Sequence, residues 1–241
     1  FGKQVYLAQS PQFYKQTMVG VFERVFEVAP VYRAEKHNTS RHLNEYVSLD
    51  FEMGFINDFN EIMQMETGML KYVFRLLEAE YSNELDLLNV KVPKIESIPA
   101  VKFMDAKNII ATEYKRKITD YHDFEPEEEQ LLCEYAKKKL NSDFIFVTHY
   151  PSSKRPFYAM DDKNDPNYTL SFDLLYNGLE VTTGGQRIHD YNEQVEKMLK
   201  RGMNPDEFES YLMIHKYGIP PHGGLGAGLE RLTMKFLGQS N

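Results

Sequence analysis

The stretch from Val31 to Tyr46 reads VYRAEKHNTSRHLNEY. It holds Arg33, Lys36 and Arg41, His37 and His42, and Glu35 and Glu45. If the first part is a strand, Arg33 and Glu35 point the same way, because side chains two apart share a face. The polar loop that follows supplies Lys36, His37, Arg41 and His42, and the returning strand places Asp50 and Glu52 on its polar side. A guanidinium beside a glutamate, under a loop of cations, suits a ligand that carries phosphates and an amine-bearing ring. The plainer alternative for this stretch alone is a surface hairpin whose ion pairs contribute little.

Two further stretches carry chemistry. In GLGAGLER the alternating glycines let a ligand approach the backbone closely, and Arg231 follows at a strand-to-helix transition, where a planar cation can lie over a base or on phosphate oxygens. In FDLLYNGLEVTTGGQRIHD, Asp173 and Glu180 fall on strands paired across an Asn-Gly turn, two carboxylates that could hold a magnesium ion bound to phosphates. Arg187 follows a Gly-Gly bend and suits bidentate binding of a carboxylate. A sheet-edge ion pair is the alternative reading there.

The elements that must position these groups are legible in outline. Ser10 and Pro11 read as N-cap and first residue of a helix on which Gln12 and Lys15 share a face. Residues 44–56 alternate, with Val47, Leu49, Phe51, Met53 and Phe55 on one side and Ser48, Asp50 and Glu52 on the other. Asp58 and Glu61 suggest a capping box for a helix to about Glu80, with Met65, Met69, Val73 and Leu76 as its packing stripe. FEPEEEQLLCEYAKKKL reads as a helix charged to match its dipole. DFIFVTHY, RPFYAM, LSFDLLY and LEVTTGG read as strands. HDYNEQVEKMLKRG and NPDEFESYLMIHKYG read as helices closed by glycine, and IPPHGGLGAGLERLTMKFLG as a proline break, a strand and a helix. The pattern is α+β: an antiparallel sheet with helices on one side.

Composition is that of an ordinary globular chain, 42% hydrophobic and 27% charged over 241 residues. The net charge of −8 argues weakly against nucleic acid, but residues 51–150 carry most of it, with 12 basic and 19 acidic side chains. No apolar run reaches membrane-spanning length and no signal-peptide layout opens the chain, so no membrane segment is expected. The single cysteine, Cys133, excludes an internal disulfide, suits a reducing compartment, and reads as a buried structural thiol. The chain opens in a strand-like KQVYLAQ and stops two residues after FLGQ, and is expected to be a fragment.

Taken together, the three clusters resemble the catalytic core of class II aminoacyl-tRNA synthetases. VYRAEKHNTSRHLNEYVSLDFEM looks like motif 2 and GLGAGLER like motif 3. Within the class, YLAQSPQFYKQ, NTSRHLNEY, SFDLLYNGLEVTTGGQRIHD and YGIPPHGGLGAGLER are similar, in order and over essentially the whole chain, to the aspartyl type of archaea and eukaryotes. The resemblance implies a class II antiparallel sheet flanked by helices. Residues 1–241 would form one catalytic domain, with motif 1 and an anticodon-binding β-barrel expected upstream.

The resemblance also implies roles. Arg33 and Arg231 would be the catalytic cations. ATP would be bound by Arg33, Ala34, Glu35, Arg41, His42, Leu43, Glu180, Gly228, Leu229, Glu230 and Arg231. Aspartate would be bound by Ser10, Gln12, Lys15, Arg33, Asp50, Thr183, Gly185 and Arg187. Glu180 and Thr183 would hold Mg²⁺, with Asp173 close by. Strict alternation puts Thr182, not Thr183, on the face of Glu180, and a bulge at the Thr-Gly-Gly bend would resolve this. The implied reaction activates L-aspartate with ATP and transfers it to the 3′ end of tRNA-Asp, with tRNA-Asn left open as a second acceptor. The full-length protein is expected to be a cytoplasmic homodimer, with motif 1 as its interface. Two alternatives share these motifs: a paralogue that makes asparagine from aspartate through the same adenylate, and a non-catalytic tRNA-binding relative.

Overall fold

A computed structural model describes residues 2, 4–35 and 43–240. Its elements are, in chain order, α1 (Gln12–Phe22), β1 (Arg24–Tyr32), β2 (Glu45–Gly54), α2 (Asn60–Glu80), α3 (Ser82–Leu87), β3 (Ala100–Lys102), α4 (Phe103–Glu113), α5 (Pro126–Lys139), β4 (Phe144–Thr148), β5 (Asp161–Asp162), β6 (Asp165–Thr169), β7 (Ser171–Tyr176), β8 (Leu179–Gln186), α6 (Tyr191–Lys200), α7 (Glu209–Lys216), β9 (His222–Gly228) and α8 (Leu229–Phe236). Seven strands form one sheet in the order β1-β2-β9-β8-β7-β4-β3, antiparallel throughout except for β3 beside β4. The expected α+β antiparallel sheet is present.

Alternation divides the sheet into two faces. Phe51, Met53, Phe146, Phe172, Leu174, Leu225 and Ala227 pack with Ile62, Met63, Leu70 and Phe74 of α2. On the opposite face, at the β4–β7 end, Ile145, Val147 and Leu175 pack with Phe103, Ala106 and Ile110 of α4 and Leu132, Cys133 and Ala136 of α5. Helices therefore lie on both faces rather than one. At the β2–β9–β8 end that second face carries Asp50, Glu52, Gly224, Gly226 and Thr183 instead, cross-strand neighbours in register. This end is where the site forms.

The start of α1 lies one residue past its expected place: Pro11, not Ser10, is the N-cap, and Ser10 Oγ accepts from the Gln12 N–H at 3.2 Å. Several other local expectations hold. Asn177 and Gly178 take φ of 45° and 79°, the positive pair that a tight hairpin turn requires. α5 carries Glu127, Glu128 and Glu129 in its first turn and Lys137, Lys138 and Lys139 in its last, as its dipole favours. Cys133 is buried, and burial pushes its thiol up to about 12.

Others are corrected. Among the described residues KQVYLAQ forms no strand, and Ala8 only accepts one backbone hydrogen bond, from Tyr32. RPFYAM is a turn with one isolated bridge, Ala159 to Arg187, because Pro156 has no N–H to give a ladder. The stripe of α2 that faces the sheet is Ile62, Met63, Glu66, Leu70 and Phe74, while Met65 is 38% exposed. Glu61 reaches back to the Asn57 backbone and side chain, at 2.7 and 2.8 Å, instead of to Asp58. Phe55 lies past the end of β2 at φ 59° and is exposed. The segment from Asn204 to Gly218 opens with a 3₁₀ turn, Pro205–Phe208, before α7.

Candidate active site

The polar end of the sheet opens into a cavity of ≈ 280 Å³. Of the residues expected at the site, Ser10, Arg33, Glu35, Leu43, Asp50, Glu180, Thr183, Arg187, Gly228, Glu230 and Arg231 line it. All three sequence clusters thus meet in one place. Gln12, Lys15 and Asp173 stand directly behind the wall, each bonded to a residue that lines it. Ala34, Gly185 and Leu229 do not line it; Gly184 takes the wall position next to Gly185. Arg41 and His42 lie outside the described residues.

The floor is a charge array. Arg187 donates from Nε to Glu52 at 2.9 Å and from Nη2 to Gln12 at 3.4 Å, Glu52 at 3.4 Å and the Gly224 carbonyl at 3.0 Å. Nη1 is the guanidinium nitrogen left without a protein partner among the described residues. Lys15 spends its ammonium on Asp50 at 2.8 Å, the Leu225 carbonyl at 2.7 Å and Glu52 at 3.3 Å. It is 4% exposed, so it is no surface lysine, and Arg187 rather than Lys15 reaches the cavity. Burial alone would raise the Glu52 carboxyl, but Arg187 and Lys15 outweigh it and hold it below the usual range. Asp50 also accepts from Ser48.

Glycine makes this array possible. A Cβ on Gly224 would collide with the Glu52 carboxylate, and one on Gly226 would lie 3.2 Å from Asp50 Oδ2. The alternating glycines give room first to these two acids, and through them to a ligand.

Arg33 and Glu35 sit just beyond β1, not on it. Arg33 extends the ladder by one bond, its N–H to the Asn44 carbonyl at 2.8 Å, and its guanidinium lies 5.3 Å from the Tyr46 ring. At the other side of the cavity Arg231, in the first turn of α8, donates to the Glu180 carbonyl at 3.1 Å and approaches its carboxylate at 3.5 Å. Glu230 accepts from the Val47 N–H at 2.8 Å.

Thr183 donates to Glu180 Oε1 at 3.0 Å. The bulge that allows this is at Val181, where pairing slips from Leu174–Thr182 to Leu175–Glu180, earlier than the expected bend. Burial first, and the neighbouring Asp173 second, push the Glu180 carboxyl up to about 7. A third of that side chain is exposed, so water moderates the rise. Asp173 Oδ1 is buried without a hydrogen-bond partner among the described residues. Those residues contain no cluster of three or more His, Cys, Asp or Glu side chains that could hold a metal alone. A divalent ion carried largely by phosphate oxygens needs only one or two carboxylates, and Asp173 with Glu180 fits that donor set.

Sequence reasoning missed three contributors. Glu52, read only as part of a polar face, is the hub that fixes Arg187 and Lys15. Arg155 lines the cavity, pairs with Asp173 at 2.7 Å and lies 3.9 Å from the Tyr150 ring. Tyr158 also lines it, its ring 5.4 Å from the Arg187 guanidinium. Arg155 and Tyr158 belong to the segment misread as a strand.

Residues 2–241 match the family model of class II tRNA synthetases (D, K and N). The chain belongs to this family. It is 50% identical over 242 residues to the aspartate–tRNA(Asp/Asn) ligase of Thermus thermophilus, covering 100% of this chain and 56% of that protein. It is 41% identical over 244 residues to the aspartate–tRNA(Asp) ligase of Thermococcus kodakarensis, covering 100% and 55%. The chain thus spans about half the length of the curated relatives it matches. Among solved structures, the aspartyl tRNA synthetase of Entamoeba histolytica superposes with a TM-score of 0.92 at 36% identity, over 98% of this chain and 50% of that one. The asparaginyl-tRNA synthetase of Pyrococcus horikoshii with asparaginyl-adenylate gives 0.87 at 30%, over 97% and 54%. The class II core of this synthetase-family chain is the sheet and cavity described above.

Proposed function

We propose that the protein containing this chain is an aspartate–tRNA ligase. The observation that carries the reading is the buried array of Arg187, Lys15, Glu52 and Asp50, with Arg187 Nη1 unspent beside the cavity. Two cations face two acids at the floor. A substrate side chain that brings one more negative charge is matched there by Nη1. A neutral amide would forgo that charge-assisted bond. Asp50 lines the same floor and suits the substrate's ammonium group.

The chemistry needs no side-chain nucleophile. The aspartate α-carboxylate attacks the ATP α-phosphorus, the bond to the β-phosphate breaks, and pyrophosphate leaves. The terminal ribose of tRNA then takes the aspartyl group. Arg33 neutralises charge where the two substrates meet, and Arg231 supplies a planar cation to the nucleotide. Asp173, Glu180 and Thr183 would hold Mg²⁺, which supplies charge neutralisation at the phosphates when bound. Glu35 and Leu43 line the part of the cavity assigned to ATP.

The acceptor is tRNA-Asp. Relatives at 46–50% identity are named for both tRNA-Asp and tRNA-Asn, which makes tRNA-Asn the second acceptor to test. A homodimer is supported by edge strand β1, whose Phe26 is 81% exposed, beside Val21 and Phe22 of α1 at 69% and 65%. None of the described helices is long and apolar enough to cross a membrane, and we place the reaction in the cytoplasm, where tRNA is charged.

ATP–pyrophosphate exchange by the full-length protein tests the reading. Exchange should depend on aspartate and a divalent ion. Exchange driven by another amino acid and not by aspartate would overturn it.

A further inference from the structure

Behind the cavity wall, a line of buried polar side chains runs from β9 to Arg187, and the reaction described above does not use it. His222 and Gln16 are fully buried, Tyr211 nearly so, and none lines the cavity. His222 Nδ1 lies 2.8 Å from the Pro220 carbonyl oxygen, which can only accept, so Nδ1 carries a proton. Burial pushes the ring down to about 4; Glu52 pulls the other way, while Arg187 and His215 act with burial. The ring is therefore neutral and Nε2 is a bare acceptor.

Every following contact inherits that polarity. The Gln16 atom 2.9 Å from His222 Nε2 must be its NH₂ group. Gln16 Oε1 then faces two donors, Gln12 Nε2 at 3.2 Å and the Tyr211 hydroxyl at 3.3 Å. Gln12 in turn presents Oε1 to Arg187 Nη2. The far end demands the same answer, because a guanidinium only donates. Two amides whose oxygen and nitrogen are otherwise interchangeable are thus set from both ends by groups of fixed polarity.

We propose that His222 is a positioning residue for amino-acid selection: its Nδ1–H tautomer orders the Gln16 and Gln12 amides so that Gln12 turns its oxygen to Arg187 and holds the guanidinium with Nη1 free for the substrate. The proposal rests on the reading of Arg187 as the partner of the substrate's side-chain carboxylate. Without the His222 acceptor Gln16 can reverse, Gln12 follows, and an NH₂ group meets the guanidinium. Arg187 then shifts relative to the cavity while the nucleotide side is untouched.

The test joins kinetics of the full-length protein to a spectroscopic readout. In ATP–pyrophosphate exchange, His222→Leu should raise the aspartate KM about tenfold and leave the ATP KM within about twofold, since small displacements of a substrate-holding group are costly. His222→Gln, whose carbonyl can accept from Gln16, should recover most of the loss. Gln16→Met should behave like His222→Leu and serves if that variant does not fold. In protein labelled with ¹⁵N-histidine, the signals lost in His222→Gln should report a protonated Nδ1 and a bare Nε2 at neutral pH. An unchanged aspartate KM in folded His222→Leu and Gln16→Met, equal rises in both KM values, or a charged or Nε2–H ring would overturn the proposal. If another amino acid and not aspartate drives wild-type exchange, the aspartate reading fails. The relay is then judged by the ring nitrogens and by whether His222→Leu raises that amino acid's KM.

Discussion

On the sheet face opposite α2, Ile145, Val147 and Leu175 at the β4–β7 end lie under α4 and α5, whereas Asp50, Glu52, Thr183 and Gly226 at the β2–β9–β8 end face or floor the cavity. Each end buries a lysine with a glutamate. Under α4 and α5, Lys107 reaches Glu128 at 2.6 Å and the Asp123 carbonyl at 2.5 Å, with the Phe124 ring 4.6 Å from its ammonium. That cation is held by these three contacts and does not line the cavity. At the open end three contacts hold Lys15 as well, but Arg187 keeps one nitrogen unspent. The difference between a structural and a functional buried cation here is a single unused donor beside a cavity. Burial does not distinguish them, since both glutamates are at most 1% exposed.

That comparison can be broken most strongly at its two acids. Glu52→Gln and Glu128→Gln each leave a buried cation without its charge partner, and each should cost about 3–5 kcal/mol of stability. Only Glu52→Gln should also weaken aspartate binding. Denaturant unfolding together with the aspartate KM of both variants checks this, and a comparable KM rise in Glu128→Gln would erase the distinction between the ends.

The next effect belongs to the cavity rim. Arg33 is exposed, and little of the fold rests on it. Arg33→Ala should therefore lower adenylate formation by about 10²-fold or more, the usual effect of removing one preorganised charge-stabilising donor. Its melting temperature should stay that of the wild type. Near-normal turnover would remove Arg33 from the mechanism.

A pH-dependent effect sharpens the contrast between the two faces. Glu66 of α2 is buried on the apolar side, and neither of its carboxylate oxygens has a well-formed hydrogen bond among the described residues. Burial, with Asp173 adding to it and Thr182 opposing, raises its carboxyl to about 8. The native protein keeps that proton up to about pH 8, while the unfolded chain releases it near 4.5. This contribution therefore falls as pH rises through that window, by up to about 1.4 kcal/mol per pH unit. Glu66→Gln should match the wild type below the window, gain progressively through it and keep a constant advantage above it. A pH series of unfolding curves decides, and a constant difference between the two proteins would show Glu66 charged in the fold.

How much of this was readable from residues alone depended on distance along the chain. The Asn177-Gly178 turn, the strand alternation of β2 and the proline break before β9 are local signals, and each appears where expected. The three clusters converge on one cavity, as their chemistry implied. Glu52 carries no local mark of its role, because its partner Arg187 is 135 residues away. Arg155 and Tyr158 were hidden because RPFYAM has strand-like residues, while Pro156 and the contacts of the finished fold impose a turn. The stripe on α2 was misread for a related reason. Glu66 made the buried face look polar, and Met65, Met69, Val73 and Leu76 offered an equally regular apolar row. Thr183 reaches Glu180 only because β8 bulges at Val181, which alternation cannot foresee.

The central claim is that the open end of the sheet receives aspartate through Arg187. A crystal structure of the full-length protein with a non-hydrolysable aspartyl-adenylate analogue tests it most directly. The side-chain carboxylate should sit on Arg187 Nη1, the ammonium at Asp50 and the nucleotide between Arg33 and Arg231. An analogue bound with its side-chain carboxylate away from Arg187, and Nη1 still unpaired, would contradict it.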